Sequence, residues 1–152
     1  MNRPIKIHVF LFILFCLVCL NQTYGQEYLR RAEHREQNPA AARVAFNQIE
    51  NGIASGRVSE LVEYLSPQTY LSLSNGISGY YSSNQAYYVL EDFFRSYQVT
   101  GFRFDDLQIE EGNVYGTGKY QFVMRGKREV AQVYISLKHA GKKWKITQLT
   151  IN

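Results

Sequence analysis

Apolar positions along the chain fall into blocks whose period changes near residue 100. Ala42, Phe46, Ile49 and Ile53 recur at i, i+4, i+7 and i+11, which is one face of an amphipathic helix. Asn38 offers a cap, Pro39 the first helical position and Gly56 a stop. A second short helix is predicted from Ser59, with Leu61, Val62 and Leu65 apolar, ending before Pro67. Two short alternating runs, 69–74 and 77–81, flank Asn75-Gly76 and read as a β-hairpin. Ser82 and Gln85 then have capping-box spacing. Behind them Ala86, Leu90, Phe93 and Tyr97 form the buried stripe of a third helix, with Glu91 and Arg95 as an exposed pair.

Beyond Thr100 the period is two. Strand-like runs occupy 101–110, 113–125, 128–138 and 143–151, separated by Glu111-Gly112, Gly126-Lys127 and Ala140-Gly141-Lys142. Connections this short force an antiparallel meander. The parity slips inside two of these runs. Phe102 and Phe104 share one face and Leu107 and Ile109 the other; Trp144 and Ile146 likewise give way to Leu149 and Ile151. Each slip predicts a β-bulge, which a bent strand requires.

An amphipathic helix must bury its apolar face against another layer, so the helices belong on one side of the sheet. The expectation is a single α+β domain over 39–152, a curved antiparallel sheet wrapped around N-terminal helices into a cone. The stretch Tyr81-Ser82-Ser83-Asn84-Gln85-Ala86, continuing through Leu90-Glu91-Asp92-Phe93-Phe94, and the closing run 144–151 resemble domain-of-unknown-function family 4783. That family comprises small exported bacterial proteins assigned to the nuclear-transport-factor-2-like (cystatin-like) fold. The resemblance implies this fold for nearly all of the domain and brings no catalytic residues.

The N-terminus has a different pattern. Arg3 and Lys6 precede an unbroken apolar run over 9–20, and Thr23 and Gly25 occupy the two small positions of a cleavage site before Gln26. About 12 apolar residues fall short of the roughly 20 that span a bilayer. Residues 1–25 are therefore predicted to be a cleaved export signal, followed by a polar lead-in over 26–38, placing the protein in the periplasm or outside the cell. Phe15 and Val18 precede Cys16 and Cys19, where a lipidation site needs a small residue, so both cysteines read as apolar filler. Cleavage removes both, and with them disulfide, thiol and cysteine–metal chemistry.

Cleavage also removes Arg3 and Lys6, leaving 15 basic against 13 acidic residues and a net charge of +2 instead of +4. The basic sets Arg125, Lys127, Arg128 and Lys138, Lys142, Lys143, Lys145 fall at opposite ends of the meander, roughly 33 Å apart for a ten-residue strand. They do not merge into a nucleic-acid groove, and no membrane contact is expected after cleavage.

Candidate chemistry is sparse. Asp105 and Asp106 are adjacent on a strand, so they point to opposite faces and cannot act as a pair; one of them facing the cone is the enzyme reading. His34 and His139 have no partner at metal-ligand spacing and read as surface residues, so neither a metal nor a cofactor is expected. The conspicuous residue is tyrosine, 12 in the chain and 11 beyond Tyr24. Tyr97, Tyr120, Phe122, Tyr134 and Trp144 are the candidate walls of a pocket for a small amphipathic ligand, the competing reading being that these rings form the core. The leading expectation is a non-catalytic domain that binds a small ligand or a protein partner. An Asp-based enzyme is the second reading, and an assembly domain forming a homodimer through its sheet is the third.

Overall fold

Helix α1 runs over Pro39–Ala54 and buries Ala42, Ala45, Phe46, Ile49 and Ile53, the face that the sequence period marks. The computed structural model describes residues 39–110 and 113–152. The predicted export signal, the predicted lead-in with His34, the expected Asn38 cap and the expected Glu111-Gly112 turn lie outside the described residues. At the end of α1 the Arg57 N–H donates to the Gly52 carbonyl (3.1 Å) and the Gly56 N–H to the Ile53 carbonyl (3.0 Å). This is the paired closure of a helix that stops at a left-handed residue, here Gly56 at φ +67°.

The second helix expected from Ser59 is instead two separate 3-10 turns, Val58–Glu60 and Val62–Tyr64. Pro67 follows too closely for an α-helical turn to complete, and Leu65 already opens strand β1 (Leu65–Leu73). Pairing of β1 with its neighbour is interrupted between Leu65 and Tyr70, the stretch in which Pro67 has no N–H to offer. Thr69, fully buried, repairs the gap: its hydroxyl accepts from the Ser66 N–H and donates to the Ile146 carbonyl, both at 3.1 Å.

Strand β2 (Ser78–Tyr81) returns along β1 around Asn75-Gly76, with Ser72 opposite Ser78. Helix α2 (Ser83–Ser96) opens with the expected capping box. The Gln85 N–H reaches Ser82 Oγ at 3.4 Å, and Gln85 Oε1 accepts from the Ser82 N–H at 3.0 Å. Tyr97 lies just past the helix rather than in it, yet its ring still stacks on Phe93 with centroids 4.4 Å apart.

Strands β3 (Gln98–Glu110), β4 (Asn113–Met124), β5 (Lys127–Ala140) and β6 (Lys143–Ile151) form the meander. The complete sheet has six strands in the order β2-β1-β6-β5-β4-β3. It is mixed, not wholly antiparallel: β1 runs parallel to β6, with Leu71 opposite Leu149 and Leu73 opposite Ile151. That pairing gathers four buried aliphatic side chains on the helix side of the sheet. Periodicity within a strand carries no record of which distant strand it joins.

Both expected bulges are present. In β3 the register steps from Phe104–Gly118 to Asp106–Thr117, leaving Asp105 as the extra residue. In β6 it steps from Leu137–Ile146 to Ser136–Gln148, leaving Thr147. Gly118 lies beneath the first bulge, where an added Cβ would meet the Arg103 carbonyl oxygen at 2.3 Å. Only glycine lets the bent β3 come this close to β4. The β4–β5 turn is Arg125-Gly126, one residue earlier than expected, with both residues at positive φ (51° and 78°).

Candidate functional site

The helix-side face of the sheet is core. Tyr120 is fully buried and Phe122 nearly so; the Tyr120 ring packs on Phe93 and Phe94 and the Phe122 ring on Tyr97, at centroid separations of 5.3 to 6.1 Å. The Tyr120 hydroxyl donates to the Tyr97 carbonyl at 2.5 Å, and burial holds its phenol well above the ordinary range. Trp144 shares this face but lies eight residue positions along β5 from Tyr120's partner Ala131, roughly 27 Å away. There it meets His139 edge-on at 5.3 Å, and its buried Nε1 has no acceptor among the described residues. Tyr134 lies on the opposite face, because Val133, Ile135 and Leu137 take the inward positions of β5.

The five expected pocket residues are thus divided. Tyr120 and Phe122 are neighbours inside the core with the half-buried Tyr97 packed against them, Trp144 closes the far end of the same layer, and Tyr134 faces away from both. They do not line a common cavity. Sequence parity separates the faces of one strand, but it does not say how far apart along the sheet two inward rings fall.

Asp105 and Asp106 are both exposed, which corrects the expectation that one of them faces the cone interior. The bulge turns Asp105 outward, 4.0 Å from Lys119, and Asp106 accepts from Gln108 at 2.9 Å on the outer face. Nearby, Glu50 of α1 accepts the Phe104 N–H at 2.8 Å, satisfying a donor on the edge strand beside the bulge. A shallow groove of about 430 Å³ runs here between Arg43, Asn47, Glu50, Arg103 and the bulge. Arg43, Arg103, Asp105 and Asp106 in it are exposed, and the partly buried Glu50 is engaged by the Phe104 N–H. Among the described residues no three His, Cys, Asp or Glu side chains converge on a metal position.

The outer face has a different character. Strand register aligns two rows of side chains across all six strands. One row reads Tyr80, Tyr70, Gln148, Ser136, Tyr115 and Gln108; the next reads Ser78, Ser72, Thr150, Tyr134, Thr117 and Asp106. Eleven of these twelve positions are uncharged, and four are tyrosines. Tyr80, 68% exposed, meets Tyr70 edge-on at 5.1 Å, and Tyr115 stacks on Tyr134 at 5.4 Å. Tyr70 is fixed further by its hydroxyl's 2.9 Å hydrogen bond with Ser78. Beside the Tyr70–Tyr80 pair, a groove of about 450 Å³ is lined by Gln68, Tyr70, Tyr80, Ser136, Lys138, Thr147 and Gln148.

Sequence reasoning reached one member of this surface, Tyr134, and missed Tyr70, Tyr80, Tyr115 and Gln148. The signal was present in the parity: Tyr70 and Ser72 alternate with the buried Leu71 and Leu73. Of the basic residues of the β5–β6 hairpin, Lys138 lines the groove while two others are engaged at its edge. Lys143 pairs with Glu63 at 3.2 Å, and the Lys145 ammonium donates to the Glu63 carbonyl.

No curated protein matches the chain. A solved DUF4783 protein from Bacteroides uniformis superposes with a TM-score of 0.63 at 18% identity, covering 70% of this chain and 94% of its own. An uncharacterized cystatin-fold protein from Novosphingobium aromaticivorans gives 0.58 at 12% identity, covering 74% and 97%. The chain "Rd1NTF2_04 with long sheet" gives 0.59 at 13% identity, covering 73% and 99%. These likenesses show the fold, which is the cystatin-like, nuclear-transport-factor-2-like one. The model of the domain of unknown function DUF4783 matches residues 46–152, from the middle of α1 to the last residue, and the chain belongs to that family.

Proposed function

We propose that this DUF4783 protein is an exported, non-catalytic recognition domain that holds its ligand or partner on the outer face of its sheet. The observation that carries this reading is the groove between Tyr70, Tyr80, Ser136 and Gln148, where aromatic faces meet solvent-facing amide and hydroxyl groups. The aromatic cluster on the other face is consumed by the core. Export is supported by the charge, apolar run and small-residue sequence of residues 1–25. The enzyme reading centred on Asp105 or Asp106 has no geometric support, since both carboxylates lie in water.

The test is an amide chemical-shift titration of the purified protein with a library of small neutral aromatic and polyol fragments. Shifts clustered on β1, β6 and the middle of β5 are expected. Shifts clustered instead around Glu50 and Asp105, or none on the sheet, overturn the assignment of this face.

A further inference from the structure

We propose, resting on that reading, that the ligand of the outer face is an uncharged polysaccharide chain lying across the strands. The argument starts from reach. Tyr80 on β2 and Tyr115 on β4 are four strand intervals apart, about 19 Å at the usual spacing. Aromatic surface therefore occurs at both ends of a polar floor made by Gln148, Ser136 and Thr150. A single small molecule fills the groove beside Tyr70 but does not reach the Tyr115–Tyr134 pair. An extended oligomer with apolar and hydrogen-bonding faces in every unit engages both.

Charge and hydrogen bonding then select the class. A nucleic acid strand needs a run of cations along its track; Lys138 lines the groove, but the two central rows hold no cation, only Asp106 at one end. A lipid or apolar helix needs continuous hydrocarbon, whereas the floor between the tyrosines is Ser, Thr and Gln. An added peptide strand needs free backbone groups, and in the middle of a sheet those groups are already paired. A pyranose chain fits all three conditions. Its C–H faces pack on tyrosine rings, its hydroxyls exchange hydrogen bonds with amides and hydroxyls, and its lack of charge matches the uncharged band.

The proposal is tested by presenting the purified protein to an array of soluble neutral polysaccharides (β-glucan, galactomannan, xyloglucan, dextran) beside anionic ones (polygalacturonate, heparin). Binding to at least one neutral chain is expected, unchanged from about 0.05 to 0.5 M NaCl. Tyr70→Ala and Tyr80→Ala should each weaken it tenfold or more. Val130→Ser, at an exposed position on the same face beyond the two rows, should leave it intact. Circular dichroism identifies any variant that fails to fold, and Gln148→Ala then serves in its place. Binding confined to anionic chains and abolished by salt overturns the proposal. Absence of any polysaccharide binding while fragments still shift the sheet amides overturns the ligand class alone. Absence of both, or a solution dimer that buries Tyr80, overturns this proposal and the recognition reading together.

Discussion

Tyr120 donates its hydroxyl to the carbonyl oxygen of Tyr97 at 2.5 Å, tying the middle of β4 to the residue that ends α2. Replacing Tyr120 with Phe keeps the ring among Phe93, Phe94 and Phe122 and deletes only this bond. A loss of about 1 kcal/mol at neutral pH is expected from urea denaturation. The pH dependence follows from the phenol's burial. Its folded value is raised above the ordinary 10.0, so its contribution is complete below pH 10 and is lost as the pH rises beyond it, where the unfolded chain ionises first. Wild-type stability should fall above pH 10, Tyr120 contributing up to about 1.4 kcal/mol per pH unit. Tyr120→Phe should show a shallower fall; an identical slope would place the ionisation elsewhere.

Gly118 is the position where the β3 bulge rests on β4. A Cβ there meets the Arg103 carbonyl oxygen at 2.3 Å, and backbone cannot step aside as a flexible side chain can. Gly118→Ala should cost about 2–3 kcal/mol. Gly116→Ala should cost less, because the atoms it meets, Leu107 Cδ2 at 2.7 Å and the Phe104 ring at 2.9 Å, belong to side chains. Thermal melts of the two variants give the order directly.

These two positions also show what a sequence discloses and what it withholds. The bulge at Asp105 was legible because a parity slip from Phe104 to Leu107 has one economical cause. The glycine beneath it was not, since its role depends on how closely β3 crosses β4. The capping box at Ser82 and Gln85 is local and was read in full. The parallel pairing of β1 with β6 joins residues about 80 positions apart and leaves no trace in either strand. The candidate site divided along the same line: the inward rings announced themselves by size, but core rings and pocket rings look alike in one dimension. Tyr70 and Tyr80 become a surface feature only when register brings them beside Gln148 and Ser136.

Glu50 and Asp105 separate a structural carboxylate from a solvated one. Glu50 accepts the Phe104 N–H at 2.8 Å in a partly buried setting, and Glu50→Ala should cost about 1.5–2 kcal/mol. Asp105 has only Lys119 at 4.0 Å across an exposed surface, so Asp105→Ala should stay within about 0.5 kcal/mol of wild type. Chemical denaturation of both variants in one buffer makes the comparison. A large loss at Asp105 would mean that its carboxylate, rather than the strand geometry, holds the bulge.

Trp144 carries a buried indole N–H with no acceptor among the described residues, a group whose desolvation opposes folding. Two effects therefore compete in Trp144→Phe. Loss of ring volume beside His139 destabilises, while removal of the unsatisfied donor offsets that loss by about 1–3 kcal/mol. The net cost should be under about 1 kcal/mol, against about 3–5 for Trp144→Ala, which removes the packing as well. Because the chain has a single tryptophan, the wild-type protein reports on the site directly, and its emission should be blue-shifted until unfolding. The Phe variant is followed by circular dichroism instead. A cost near that of the Ala variant would show that the indole N–H finds a partner in solution.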